Sequence, residues 1–171
     1  DEKTIEMTMR GYTFKQQKKT RQSRPQAPEE KDKFETMQKI VLACIVQNDA
    51  PIDLHKHVEE IIEEDDFTIP SYKELFSIIG LMPKASDEMF IKDLIAKLTP
   101  PLLDVLDTIL LTDTTDLIDN KNTTSIKQLC LHMKKLSIKK ALKIHAANED
   151  GDKYRILKEK LARVDKELNL L

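Results

Sequence analysis

Residues 151–171 read GDKYRILKEKLARVDKELNLL, and their spacing decides the fold. Tyr154, Leu157, Leu161, Val164, Leu168 and Leu171 follow one another in steps of three and four, the seam of a helix that lies against another helix. Working back along the chain, NEDGD (148–152) supplies a turn, with Gly151 suited to a left-handed residue past a helix end and Asp152 to capping the next helix. Before it, Leu129, Met133, Leu136, Ala141 and Ile144 predict a long helix, opened by Ser125 and Gln128 at capping-box spacing and running to about Ala147. The last two helices are therefore expected to form an antiparallel hairpin.

The remainder reads as helix too. Only three glycines occur, Gly11, Gly80 and Gly151, Trp is absent, and no stretch beyond residue 33 alternates as a strand does. Phe34, Met37, Val41, Cys44 and Ile45 define a first helix from about Phe34 to Gln47, ended by NDAP. Pro51, Pro70 and Pro100 each suit a first helical turn, where a missing N–H costs nothing. The helices they open carry Leu54, Val58, Ile61 and Ile62, then Tyr72, Leu75, Phe76 and Ile79, then Leu102 to Leu111. Ser86 is placed to cap another, with Phe90, Ile91, Leu94, Ile95 and Leu98 as its stripe. TDTTDLIDNKNTT (112–124) reads as a polar loop. The expected fold is all-α: a compact bundle of five to six short helices over 34–124, then the long C-terminal hairpin over 125–171. Residues 1–33 read as a flexible charged linker, because KQQKKTRQSRPQAPEEKDK (15–33) has too little apolar surface to offset the entropy of ordering it.

A net charge of −2 hides a partition. Residues 1–33 hold 9 Lys and Arg against 6 Asp and Glu, residues 34–124 hold 7 against 18, and residues 125–171 hold 12 against 6. The basic end suits an acidic protein surface. The tract Lys15, Lys18, Lys19, Arg21 and Arg24 suits weak contact with nucleic acid through its phosphates. Cys44 and Cys130 stand far apart with no second Cys at metal or redox spacing, which points to a reducing, cytoplasmic setting. The longest apolar run, IVLACIV (40–46), is too short to span a membrane, so no membrane partner is expected.

Catalytic chemistry finds little footing. The glycines are too sparse for a phosphate loop. In DLHKHVEE (53–60), Asp53 and His57 are four apart, as are His55 and Glu59; metals use that spacing, but ordinary ion pairs on an exposed helix face do so too. With no matching ligand pair elsewhere, the reading is of no metal and no catalytic residue. His132 and His145 read as flanking residues of the hairpin.

The order of these elements resembles a known family. KFETMQKIVLACIVQNDAP (33–51), an acidic stretch into DDFTIPSYKELFSII (65–79), short helices and the closing 125–171 together look like the C-terminal helicase-binding domain of a bacterial DnaG-type primase. The part through about Leu111 is also similar to the N-terminal collar domain of the replicative helicase, which is the alternative reading, beside another helical protein-interaction module. The resemblance implies a non-catalytic fragment, with no cofactor, that docks on the N-terminal domains of the hexameric helicase and recruits RNA primer synthesis to the fork. It implies a parent DNA primase with a zinc-binding domain and polymerase core upstream of Asp1. On the hairpin, the candidate partner-binding residues are Ile156, Leu168, Leu170 and Leu171, with Arg155, Lys158 and Arg163 steering the encounter.

Overall fold

The computed structural model describes residues 27–83, 87–118, 123–147 and 151–171. Among them every regular element is helical: α1 (Ala27–Val46), α2 (Pro51–Glu59), a single 3-10 turn (Glu64–Asp66), α3 (Pro70–Gly80), α4 (Asp87–Lys97), α5 (Pro100–Leu110), α6 (Thr115–Ile118), α7 (Thr123–Ala147) and α8 (Gly151–Leu168). The chain divides after Lys31 into two compact units, and the core belongs to Asp32–Leu171. Linker residues 1–26, the Ser86 cap and the 148–150 part of the NEDGD turn lie outside the described residues.

The core is organised on α1. From Val41 to Val46 every residue is buried, so this segment is apolar all round because it is covered all round, not amphipathic with one inner face as its spacing predicts. Two glutamines bracket the run. Gln38 is fully buried; its Nε2 donates to Phe34 O (3.2 Å) and Thr68 Oγ1 (3.0 Å), while its Oε1 accepts from Thr68 N (2.8 Å). Gln47 Nε2 donates to Ile109 O (3.1 Å) and Thr112 O (2.9 Å), and its Oε1 accepts from Thr114 Oγ1 (2.7 Å). One side chain therefore holds the entry to α3, and the other adds a donor to carbonyls at and just beyond the end of α5.

Proline starts α2, α3 and α5 as the sequence predicts. Leu54, Val58, Ile62, Leu75, Phe76, Ile79, Phe90, Leu94, Leu98, Leu102, Leu106 and Ile109 complete the main core. Several boundaries differ from expectation. Helix α1 begins at Ala27, two turns before Phe34, since Pro28 fits a first turn and the acidic residues after it favour a helix N-terminus. Helix α7 begins at Thr123, which puts Ser125 and Gln128 inside it rather than at a cap. The 112–124 stretch holds α6, with Asp113 Oδ1 accepting from Thr115 N (3.1 Å) at its start. Thr99 precedes α5 with extended backbone, and its side chain makes no capping bond.

Gly80 is required by a close approach: a Cβ there would stand 2.8 Å from His55 Cε1. That imidazole is buried against Phe76, ring centroids 4.3 Å apart, and its Nε2 lies 2.9 Å from Phe76 O.

Candidate functional site

Helices α7 and α8 lie along one another and share a second, smaller apolar cluster: Leu131, Ile138 and Val164 are buried, with Leu142, Leu157, Leu161, Leu168 and the α2 neighbour Ile61 packed around them. Lys135 Nζ pairs with Asp165 beside that cluster. The α8 residues of this cluster are those of the three-four spacing. The α7 residues are not. Ile126, Cys130 and Met133 are buried in the main core with Leu129 and Leu136 against it, while Ile144 is 52% exposed. One face of α7 thus seals the bundle, and a different face, carrying Leu131, Ile138 and Leu142, meets α8.

Lys134 fastens α7 to the bundle. Its Nζ donates to Asp66 Oδ2 (2.7 Å) and Glu63 Oε1 (3.2 Å), and Asp66 Oδ2 also accepts from Glu63 N (2.8 Å). Part of the basic C-terminal charge therefore meets the acidic middle of its own chain.

Arg155, Lys158 and Arg163 are exposed, and Lys158 Nζ stands 4.8 Å from the Tyr154 ring centroid. Ile156 is 51% and Leu170 77% exposed. Leu168 is half-buried in the seam, so it supports the helix pair rather than a partner surface. Leu171 turns toward α2 and lines a cleft. Ile156 and Leu170 are not brought together: twelve residues of α8 at about 1.5 Å each put Ile156 roughly 18 Å from the helix end at Leu168, and Leu170 lies beyond that end. Ile156 stands amid Arg155, Glu159, Lys160 and Arg163 on the outer side of the helix.

The cleft, of about 490 Å³, was not anticipated. Leu54, Val58, Ile126 and Cys130 give it an apolar floor, and His57, Glu60, Lys127 and Glu167 a polar rim. Its only sequence signal is the Leu54, Val58, Ile61 stripe on α2, which reads equally well as core.

The histidine pair separates on folding. His55 is buried, and since a carbonyl only accepts, Nε2 carries the proton toward Phe76 O. Its Nδ1 is 3.6 Å from Glu59 Oε2. Burial holds the imidazole below its usual pKa, partly offset by the Glu59 charge and the Phe76 carbonyl. His57 stays exposed, with Nδ1 2.7 Å from Asp53 O. Among the described residues, no group of three His, Cys, Asp or Glu is placed to hold a metal ion. Both thiols are buried, and burial pushes Cys44 up to about 11 and Cys130 to about 12, which leaves them protonated and poor nucleophiles. No described helix is long and apolar enough to cross a membrane. The basic tract Lys15 to Arg24 lies outside the described residues.

No family model, curated protein or solved structure matches the chain.

Proposed function

We propose that the chain is a non-catalytic protein-interaction module: the C-terminal helicase-binding domain of a bacterial DnaG-type primase, acting in the cytoplasm at the replication fork. In this reading α7 and α8 form an antiparallel hairpin that docks on the N-terminal domains of the hexameric replicative helicase and brings primer synthesis, carried by the parent chain, to the fork. The observation that carries it is on α8. Leu157, Leu161, Val164 and Leu168 are engaged at the seam, while Ile156 is exposed on the outer side of α8 amid Arg155, Glu159, Lys160 and Arg163, and Leu170 is exposed just beyond the helix end. An apolar anchor in a mainly basic surround, as at Ile156, suits a protein partner with an acidic rim, where the anchor supplies affinity and the charges steer. Their separation implies two contact points, not one patch.

Titration calorimetry against the N-terminal domains of the same organism's replicative helicase tests this. The wild-type chain is expected to bind, and the Ile156→Ser, Leu170→Ser double variant to bind at least tenfold more weakly with its circular dichroism unchanged, about 1.4 kcal/mol or more of binding energy. An unchanged affinity removes the α8 contact. Assembly of the chain into a ring by itself, seen in sedimentation, replaces this reading with that of the helicase collar domain.

A further inference from the structure

The Lys135–Asp165 pair fixes which flank of α7 shares an edge with which flank of α8. Residues four apart stack on one side of a helix, as do residues seven and eleven apart. From the pair, the row on α7 leads to Lys139, and the row on α8 leads back to Lys158 and Tyr154. Lys139 and Lys158 are exposed, Tyr154 is half-buried, and Lys158 Nζ sits over the Tyr154 ring. Arg155 and Lys140, both exposed, border the rows. Lys143 continues the α7 row and already has an interaction of its own. No Asp or Glu stands in either row between Asp165 and the 148–150 turn. The result is a strip of cations with one aromatic ring, with Asp165 at one end and Glu159 four residues on from the bordering Arg155.

We infer that this strip binds the phosphodiester backbone of single-stranded nucleic acid. The inference goes beyond the helicase reading and does not depend on it. Successive cations on one helix row rise by about 6 Å per four residues, a ladder of point charges that a phosphate chain can follow without a fixed register. The strip is mainly lysine, whose ammonium needs no bidentate partner and so confers no sequence preference. Tyr154 offers a base a face to stack on once Lys158 turns to a phosphate. An acidic protein surface would need apolar anchors inside the strip. The exposed isoleucines lie off it: Ile156 is about 200° around α8 from Lys158, and Ile144 about 140° around α7 from Lys139.

Fluorescence anisotropy with the full 171-residue chain and a labelled oligothymidylate of about 20 nucleotides, at about 50 and 200 mM salt, tests the inference. The strip variant carries Lys139→Gln, Arg155→Gln and Lys158→Gln. A control with the same change of net charge carries Lys56→Gln, Lys92→Gln and Lys97→Gln, all exposed and outside the strip. The strip variant is expected to bind at least tenfold more weakly, the control less than twofold, and the salt slope to fall by about 2 for the strip variant alone. Both variants keep the wild-type circular dichroism. Absence of binding by the wild-type chain overturns the inference, as does equal weakening in strip and control. A labelled polyglutamate of matched charge that binds as tightly as the oligothymidylate also overturns it, and assigns the strip to an acidic protein partner.

Discussion

His55 is a polar side chain on the apolar side of α2, held there by one carbonyl, one ring and one missing Cβ. Its imidazole is depressed below the usual value near 6.5, mainly by burial. The unfolded chain therefore takes up a proton from about pH 6.5 downward before the folded chain does, and in that window falling pH costs stability. The chain is expected to unfold at lower urea at pH 5 than at pH 7, and His55→Gln to show a smaller difference between the two; equal dependence in both proteins contradicts the assignment. None of this was legible in DLHKHVEE, where His55 reads as an exposed ion-pair partner. What buries it is Phe76, 21 residues away, and the space left by Gly80. Gln38 was hidden for the same reason: its partner Thr68 lies 30 residues on.

At the scale of elements, α8 could be read from its spacing because its apolar stripe answers to one main neighbour, α7. Helix α7 could not, because it answers to two. A single stripe through Leu129, Met133, Leu136, Ala141 and Ile144 merges its bundle face with a solvent position, and leaves out Leu131 and Ile138, which are 2% and 3% exposed. The two assignments predict opposite outcomes. Leu131→Ala is expected to lower the unfolding free energy by about 2–4 kcal/mol, and Ile144→Ala by less than about 0.5 kcal/mol, both checked by urea titration. The charged contacts divide in the same way. Lys134 is only 12% exposed and Asp66 7%, so Lys134→Met leaves a nearly buried carboxylate with one backbone donor, at an expected cost of about 2 kcal/mol. The Lys73–Asp65 pair is solvated, and Lys73→Ala is expected to leave the urea midpoint where it is.

For the whole molecule, the all-helical fold followed from composition, proline placement and the steps of three and four. The partition of charge was equally plain, but its use was not: Lys134 and Lys135 are engaged by Asp66 and Asp165 within the chain itself. The candidate surface was legible as a list of residues and not as a shape. Leu168 and Leu171, two of the candidate partner-binding residues, lie respectively in the seam and on the α2 cleft, a distinction that depends on which neighbours cover them. The proposed docking on a helicase rests on the residues left over, Ile156 with the charged residues around it and Leu170 beyond the helix end. Hydrogen–deuterium exchange of the chain with and without the helicase N-terminal domains tests it most directly. Slowed exchange concentrated in residues 151–171 is the expected result; no slowing, or slowing confined to α2 through α5, contradicts it.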